Sequence, residues 1–420
     1  MQRFIRVRDT VPDGRLLRIL KKERKGRRNK FPLEAMWNAL LAGVVFRHKS
    51  GESLREELRR NGELREECGF DPLRREEAVP PDYVWSRLYT KLFKHMELVL
   101  EILHALAEIL RKELPDFGES TAIDGKAIPT YGRKDPDADW GKKVKVATGK
   151  DGRTYEKEVK WYGYKLHLLV DTRYELPMGF TLTKASAAEI IQLKPLLEAL
   201  EKTHPKLYAR IRKLLADRGY DDTETKKDLY DNEGIDPLID TRNMHKTMQP
   251  LDPTQSDTVY YSGTGQVCCK VDPFHADPAH QFVPMYHMGF EKDRMALKFR
   301  CPAKVWGIEC KNRPACRCAP WVHDGDFGRV VRVPLETDRR LFFPTYRHSR
   351  QFAKRYKRRT SVERVNSRID RVYNFEDHFL RGKKHMELRL TLSMIVMLGT
   401  AVAWVKLGKT QNVRSLLRAA

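Results

Sequence analysis

The chain begins without the apolar segment that forms the centre of a secretory signal, since Met1 to Arg6 reads MQRFIR. It also has little uninterrupted apolar sequence. The stretch from Leu390 to Val405 is the notable one, but it is only sixteen residues long and contains Thr391, Ser393 and Gly399. Such a stretch is short for a membrane span and predicts a buried helix. These absences predict a cytoplasmic protein that does not enter a membrane.

Acidic residues are scarce relative to basic ones. The chain has 57 Asp and Glu against 80 Lys and Arg, a formal net charge of +23 and a pI near 9.7. A basic protein gains affinity for a polyanion through counterion release, so nucleic acid is the leading partner and a membrane surface the next. We therefore expect association with the nucleoid. With 420 residues and 41% hydrophobic content, the chain can bury two or three compact units.

Cysteine is nearly absent outside one stretch. Six of the seven cysteines fall between Thr241 and about Pro344, a region whose prolines, glycines and short β-like runs predict a β-rich insertion. A cytoplasmic protein should not rely on disulfides, so the cysteines either bind structural zinc or are scattered reduced thiols. The predicted zinc ligands are Cys301, Cys310, Cys316 and Cys318, with His323 or the Cys268–Cys269 pair as alternatives.

The N-terminal quarter divides into two segments. Residues 1–30 are strongly basic and predict an arm that is either a disordered tail or a direct DNA contact. Residues 31–115 show helical spacing, including one long amphipathic helix from Tyr83 to Leu110. After them we expect a charged loop from Arg133 to Lys160, followed by a strand over residues 162–171.

Two apolar, strand-like runs each carry one aspartate close to a glycine. In the first run Asp124 precedes Gly125, and the second run ends at Asp217 and turns at Gly219. A carboxylate within a buried strand must be paired or bind a metal ion. A lone Asp-Gly is more often only a turn. Each aspartate is therefore a candidate metal ligand, with a simple turn as the alternative.

A third carboxylate lies in a basic segment near the C-terminus. Helical spacing of three, four and seven places one polar stripe on a single helix. The stripe consists of Tyr356, Arg359, Glu363, Asn366 and Asp370. Such a carboxylate could hold a cation beside a phosphate that the arginine and tyrosine grip, whereas the alternative is a solvated helix with incidental ion pairs. The combination of two aspartates and one glutamate favours the metal site.

These motifs resemble those of the DDE transposases of bacterial insertion sequences. That family carries its second aspartate in an Asp-x-Gly-Tyr/Phe motif, which Asp217, Gly219 and Tyr220 match. A large branch has the signature Tyr-x2-Arg-x3-Glu-x6-Lys, matched here up to its glutamate. The signature lysine falls at Asp370, and Arg368 or Arg371 could supply the charge instead.

The resemblance implies a fold class and an order of domains. The class is α/β: a ribonuclease-H-like mixed sheet with flanking helices, a helical N-terminal domain and a β-rich, cysteine-containing insertion. The expected divisions are a basic arm at 1–30, a helical domain for DNA ends at 31–115, the first part of the core at 116–243, the insertion with its possible zinc site at 244–345, and the second part of the core, with the Glu363 helix and a C-terminal helix, at 346–420.

The resemblance also implies a reaction. Asp124, Asp217 and Glu363 would hold two Mg²⁺ or Mn²⁺ ions for cleavage and strand transfer at the terminal inverted repeats of an insertion sequence. The partner would be double-stranded DNA, with a homodimer joining two ends. Predicted DNA contacts are Tyr356, Arg359, Lys126, Arg368, Arg371 and His167. Lys126 could instead be a sheet-edge lysine and His167 a packed side chain.

Two other functions fit the same residues. A ribonuclease-H-like nuclease would use the same carboxylates without strand transfer. A catalytically inactive, domesticated DNA-binding protein would keep the positive charge and could lose an acid, although all three acids are present here.

Overall fold

The computed structural model describes residues 1–24, 30–132, 134–148, 153–242, 244, 247–252, 258–316, 325–375 and 377–414. The chain forms two compact units. The first contains Met1–Ile211 and Thr360–Ala420, and the second contains Arg212–Arg359. This division differs from the predicted boundaries, because the N-terminal helices and the helix that carries Glu363 pack within the first unit.

Helices make up the first part of the first unit. They are α1 (Gln2–Arg8), α2 (Gly14–Lys22), α3 (Leu33–Val45), α4 (Gly51–Arg60), α5 (Gly62–Cys68), α6 (Asp82–Lys94) and α7 (Met96–Glu113). The prediction of a basic arm was wrong for α1 and α2. Phe4 and Leu20 are fully buried, because apolar residues at helical spacing lie between the basic ones. The single helix predicted from Tyr83 to Leu110 is broken at His95.

The sheet of the first unit is built around one long strand. Its strands are β1 (Ser120–Pro129), β2 (Asp139–Thr148), β3 (Thr154–Asp171) and β4 (Pro177–Lys184), and β1, β2 and β4 each pair antiparallel with β3. The charged loop predicted for residues 133–160 was wrong, because most of it forms the β2–β3 hairpin. Exposed apolar side chains such as Trp140 and Val144 give β2 its strand propensity despite the lysines around them. Two helices follow, α8 (Leu193–Thr203) and α9 (Pro205–Tyr208).

The second unit begins with a parallel strand pair. Strand β5 (Lys213–Ala216) pairs with β6 (Asp236–Ile239), and α10 (Thr223–Asp231) connects them. A crossover through a helix is the usual link between parallel strands. Antiparallel pairs in one unit and a parallel pair in the other confirm the mixed α/β class.

The rest of the second unit is β-rich. One small sheet has the order β10–β9–β8–β7 and another the order β11–β12–β13. The strands are β7 (Gln249–Pro250), β8 (Val259–Tyr261), β9 (Val267–Lys270), β10 (Phe282–Pro284), β11 (Tyr286–Glu291), β12 (Ala296–Arg300) and β13 (Val330–Pro334). Val267, Phe299 and Phe342 belong to one core that both sheets share. The described residues of this unit also form the helices α11 (Pro302–Trp306) and α12 (Arg350–Tyr356).

Two C-terminal helices return to the first unit, α13 (Thr360–Val372) and α14 (Lys383–Lys406). Helix α14 is long and apolar enough to cross a membrane, but 89% of its apolar window is buried inside the protein. Its Thr391 and Ser393 hydroxyls donate to the carbonyls of Glu387 and Arg389, so their polarity is satisfied within the helix. The predicted buried helix is confirmed.

Candidate active site

Asp124 and Lys126 lie on the same face of β1. The β1–β3 register runs without a bulge and pairs Asp124 with Leu168 and Lys126 with Leu166. Residues two apart on a regular strand share a face, and the two leucines, directly opposite on β3, are fully buried on that same face. Asp124 therefore lies beside Lys126 on a face of the sheet that also carries two buried leucines.

Gly125 faces the opposite side of β1, towards the side chain of Glu189. A Cβ atom at this position would lie 2.6 Å from Oε1 of Glu189. Any side chain would have to displace Glu189, which also lies 3.6 Å from Lys165 Nζ. The Asp-Gly-Lys sequence thus continues an extended strand rather than forming the turn that an Asp-Gly pair often makes.

Helix α13 packs over the Asp124 face of the sheet. It contacts both β1 and β3, and its buried side chains include Val362, Val365 and Ile369. On the same helix, Asp370 Oδ2 lies 2.5 Å from Lys126 Nζ, and the two side chains are 13% and 20% exposed. The position where the signature has a lysine thus holds an aspartate, and a lysine from β1 meets it.

A second contact sets the direction of α13. Arg364 and Arg368 both pair with Glu175, in the turn that joins β3 to β4 near the start of β1. Asp370 instead reaches Lys126, further along β1. The helix therefore runs in the same general direction as β1, so Glu363 precedes Asp370 on the helix as Asp124 precedes Lys126 on the strand. Glu363 is exposed in the first turn of α13.

The single helix predicted from Tyr356 to Asp370 was wrong. Helix α12 ends at Tyr356, a 3-10 turn occupies Lys357–Arg359, and α13 begins at Thr360. The tighter turn changes the angular spacing of side chains, so Tyr356 and Arg359 do not continue the stripe of Glu363. Both residues belong to the second unit.

Asp217 follows β5 directly in the second unit. It caps the 3-10 turn Arg218–Tyr220, and its Oδ1 accepts a hydrogen bond of 2.8 Å from the Gly219 N–H. This bond fixes one carboxylate oxygen and orients the side chain. Oδ2 accepts no hydrogen bond from the described residues of this unit. The arrangement leaves an oxygen that could coordinate a metal ion.

Tyr356 supports the strand that carries Asp217. Its hydroxyl donates to the Ala216 carbonyl at 3.2 Å, and its ring stacks on Phe352 with centroids 5.4 Å apart. Burial raises the pKa of the Tyr356 hydroxyl, so the group stays protonated and keeps this bond. The guanidinium of Arg359 lies 6.0 Å from the centre of the same ring. Tyr356 therefore holds the backbone before Asp217.

The sequence motifs did not identify the arginines near Asp217. Arg218 pairs with Asp240 at 3.1 Å yet keeps its side chain 70% exposed. Arg242 is exposed and donates from Nε to the Arg218 carbonyl at 3.0 Å. Arg347 pairs with the same Asp240. Of these arginines, only Arg218 could have been found from the sequence, because it lies inside the Asp-x-Gly motif. Arg242 and Arg347 reach this site through contacts between residues that are distant in sequence.

Two of the predicted DNA contacts are internal. Arg368 has a side chain that is 13% exposed and pairs with Glu175. His167 is fully buried on the side of β3 opposite the Asp124 face, and its Nε2 lies 3.1 Å from the Thr183 hydroxyl. Burial lowers the pKa of His167 to about 4, so the ring is neutral near pH 7. His167 is therefore a packed side chain in this structure. Arg371, in contrast, is exposed.

The predicted zinc ligands are described only in part. Cys318 and His323 lie outside the described residues. Cys301, Cys310 and Cys316 are half-buried and line one cavity of the second unit together with Cys269. As the side chains stand, the described residues contain no group of three or more His, Cys, Asp or Glu that could hold a metal ion.

The comparison with known families decides the identity of the domain. Residues 116–398, more than half of the chain, match the family described as "Transposase DDE domain". The chain belongs to the DDE transposases. The matched range includes Asp124, Asp217 and Glu363, and it confirms the family expected from the motifs. No curated protein and no solved structure gives a significant match to this chain.

Membership of this family sets a general chemistry. DDE transposases are enzymes of DNA transposition and recombination, they bind DNA, and they generally use divalent metal ions. The oxygen ligands fit that chemistry, because Mg²⁺ prefers carboxylates. In the first unit the fitting donors are Asp124 and Glu363, and in the second unit the fitting donor is Asp217.

Proposed function

We propose that this DDE transposase binds the terminal inverted repeats of an insertion sequence, cleaves the DNA there and joins the freed end to a target. The observation that carries the proposal is the helix with Glu363 packed over the face of β1 that carries Asp124, in a chain of this family. The net charge of +23 suits a DNA partner.

Asp124, Asp217 and Glu363 are the proposed metal ligands. When bound, Mg²⁺ or Mn²⁺ supplies positive charge that activates a water or a 3′-hydroxyl as nucleophile and stabilises the leaving oxygen. The chain's own contribution is to orient the three carboxylates. The Gly219 N–H orients Asp217, and the Tyr356 bond to Ala216 holds the strand before it. No covalent bond between protein and DNA is needed.

Lys126 is the proposed substitute for the signature lysine. The signature lysine would stand at position 370, where Asp370 instead accepts from Lys126 Nζ. The pair leaves the lysine 20% exposed, next to Asp124 on the same strand face. A cation there can hold a phosphate oxygen beside the scissile bond. Asp370 acts as a positioning residue because it holds the lysine in place.

Exposed arginines supply further phosphate contacts. In the second unit these are Arg218 and Arg242, and in the first unit Arg371 serves the same purpose. The half-buried Arg359, beside the ring of Tyr356, is a further proposed contact. Contacts of this kind position DNA without reading its sequence. The helical N-terminal residues, 31–115, are the proposed reader of the element ends. Joining of two ends requires two active sites, so we propose a homodimer that works on the nucleoid in the cytoplasm.

The test is metal-dependent cleavage and joining of DNA that carries the ends flanking this gene. Wild type should cleave and join in Mg²⁺ or Mn²⁺ and do neither in a chelator. Asp124→Asn, Asp217→Asn and Glu363→Gln should each lose at least about 1000-fold in cleavage rate, because each removes a ligand worth several kcal/mol in the transition state. Binding to the ends should be retained.

The control is Glu119→Gln, an exposed acid of the first unit outside the proposed site. It should cleave and join at the wild-type rate. Cleavage without joining by wild type would favour the nuclease alternative, and binding without cleavage would favour the domesticated protein. Full cleavage by all three site variants would refute the mechanism.

A further inference from the structure

The β2–β3 hairpin extends beyond the rest of its sheet as a two-stranded ribbon. Strand β3 pairs with β1 only from Gly163 onward, whereas its earlier residues pair with β2. The described side chains in this part of β3 are mostly exposed, among them Tyr155, Lys157 and Lys160. A two-stranded ribbon buries little of its own surface, so its side chains can meet a partner.

The root of this ribbon, where it leaves the sheet, is held in place by close contacts. Gly141 lies opposite Trp161, and a Cβ atom on Gly141 would come within 2.4 Å of the Trp161 ring. The Trp161 Nε1–H donates to the Tyr164 carbonyl at 3.0 Å. At the start of β2, Asp139 accepts a hydrogen bond of 2.9 Å from the Ser186 N–H. These contacts fix the direction in which the ribbon leaves the sheet.

One face of the ribbon continues the face of the sheet that carries Asp124. Leu168 lies opposite Asp124, and Tyr164 and Tyr162 lie on β3 at even spacing from it. The hydroxyls of both tyrosines donate to one residue, Asp135: Tyr164 to its carboxylate and Tyr162, at 2.8 Å, to its carbonyl. Because alternate strand residues share a face and both tyrosines reach one residue, β3 keeps this face as it enters the ribbon.

Four side chains form two cross-strand pairs on that face, at the root of the ribbon. Trp140 lies opposite Tyr162, with ring centroids 5.6 Å apart, and Lys142 lies opposite Lys160. Trp140 is 67% exposed, and both lysines are exposed as well. These four residues are named the root patch. We propose that the root patch binds the backbone of double-stranded DNA, with its lysines on a phosphate and Trp140 against the adjoining deoxyribose. This contact rests on the proposed function, because it adds a binding surface for the same DNA.

The paired lysines favour an anion as the partner. Like charges directly opposite each other on neighbouring strands repel, so Lys142 and Lys160 are an unfavourable pair in the protein alone. Glu158 lies 2.9 Å from Lys160 Nζ and offsets part of this repulsion. A phosphate that accepts from both ammonium groups would offset more of it through charge-assisted hydrogen bonds. The ribbon is basic as a whole, since residues 142–160 contain seven Lys and Arg against three Asp and Glu.

Charge also decides between DNA and a second copy of this chain. In a symmetric dimer contact the same patch meets itself, which would place the lysines of one patch against those of the other. Like charges brought together in this way weaken association. The exposed ring of Trp140 gives either partner an apolar surface, so the lysines favour DNA.

The strand register gives the distance between this contact and the reaction. Lys160 lies eight positions along β3 from Leu168, the residue opposite Asp124. At about 3.3 Å per strand residue the separation is roughly 26 Å, which corresponds to about eight base pairs of DNA at about 3.4 Å each. DNA that runs along the strand from a scissile phosphate at Asp124 would therefore meet the root patch at that separation.

The experiment measures binding of the full-length chain to labelled duplexes that carry the ends flanking this gene, by fluorescence anisotropy in a chelator. The double variant Lys142→Ala, Lys160→Ala should bind about 10-fold more weakly than wild type, and the slope of log affinity against log salt should fall by about 1 to 2. The matched control is Lys143→Ala, Lys157→Ala, which removes two exposed lysines from the opposite face of the same ribbon. It should bind within about 2-fold of wild type.

Two further comparisons separate the aromatic contact and its position. Trp140→Ala should bind about 3-fold more weakly with an unchanged salt slope, because it removes packing and no charge. On a duplex that stops about four base pairs from the scissile phosphate on each side, wild type and the root-patch variants should bind equally, because that DNA is too short to reach the patch. The replaced side chains are exposed, so every variant should fold, and circular dichroism checks this.

Three results would overturn the proposal. Equal losses in the two double lysine variants would show a general effect of charge, and a loss that persists on the short duplex would place the contact elsewhere. Normal DNA binding by a root-patch variant that no longer dimerises in sedimentation would assign the patch to a second copy of the chain. Wild type that binds and cleaves the ends, with root-patch variants that bind equally well, would refute this contact alone. Wild type that binds no DNA would refute the proposed function as well.

Discussion

Two lysine–aspartate ion pairs, one in each unit, have the same chemistry in different surroundings. In the second unit Lys226 Nζ lies 2.6 Å from Asp221 Oδ1, and both side chains are 1% exposed. In the first unit Lys126 Nζ lies 2.5 Å from Asp370 Oδ2, and the side chains are 20% and 13% exposed. The protein encloses the first of these pairs and leaves the second within reach of a ligand.

The enclosed pair, Lys226 and Asp221, is surrounded by further hydrogen bonds. Lys226 also donates to the Arg340 carbonyl at 2.6 Å. Asp221 Oδ2 accepts from the Arg340 guanidinium at 2.8 Å and from the Arg242 N–H at 2.9 Å. Its polar atoms are thus satisfied inside the protein, so the pair holds the fold. The Lys126–Asp370 pair instead stands beside a candidate metal ligand and is only partly enclosed.

Removing one partner of the enclosed pair should have the largest effect on stability. Lys226→Ala or Asp221→Ala leaves a buried charge without its partner, so the free energy of unfolding should fall by about 3–5 kcal/mol. Guanidinium unfolding of the full chain measures this change. The double variant Lys226→Met, Asp221→Leu should recover part of the loss, because no unpaired charge of the pair remains. If the single variants were as stable as wild type, the distinction between the two pairs would be lost.

His167 extends the comparison to a single buried group. Its pKa is lowered from 6.5 to about 4 by burial, with Lys165 adding to the effect. The unfolded chain therefore binds the proton first as pH falls, so this stability is fully present above pH 6.5 and is lost between pH 6.5 and 4. Wild type should lose about 2 kcal/mol more than His167→Gln between pH 7.5 and 5. Denaturant unfolding at both pH values tests this, and equal losses in the two proteins would contradict it.

Breaking the Lys126–Asp370 pair should have a smaller effect. This effect should fall on the cleavage rate rather than on the free energy of unfolding. Lys126→Ala should cost at most about 1 kcal/mol in unfolding, because the pair is partly solvated. Its cleavage rate should nevertheless fall by about 10-fold, from the loss of one charge-assisted phosphate contact. Asp370→Ala should fall less, since the lysine remains.

The charge-swapped variant Lys126→Asp, Asp370→Lys sharpens this test. It restores the ion pair and places a lysine where the family signature has one, so cleavage should recover relative to Lys126→Asp alone. A double variant as inactive as the single one, yet equally stable, would show that the lysine must come from β1. Unchanged cleavage in Lys126→Ala would remove the lysine from the site.

Much of this site could be predicted from local sequence. Asp124 lies within a strand and Asp217 at the end of one, because apolar runs around each acid can be read from a few neighbouring residues. The buried helix at 383–406 is confirmed for the same reason. The family match supports the combination of motifs, although the shared role of the three acids stays a prediction.

The rest depends on contacts between distant residues. Lys126 and Asp370 are 244 positions apart, and Arg368 reaches Glu175 across 193 positions. Helical periodicity shows which side chains share a face and not which distant residue meets them. The prediction of one helix from Tyr356 to Asp370 failed for a related reason. The 3-10 turn Lys357–Arg359 changes the angular spacing of the side chains, and no glycine or proline in the sequence marks it.

The most direct test of the central claim is iron-directed cleavage of the protein itself. Fe²⁺ can replace Mg²⁺ at a carboxylate site, and with ascorbate and peroxide it produces radicals that cut the nearby backbone. We predict cuts close to Asp124, Asp217 and Glu363, suppressed by excess Mg²⁺ and lost together in Glu363→Gln. Cuts near only one of these residues, or cuts that Mg²⁺ does not suppress, would contradict a shared metal site.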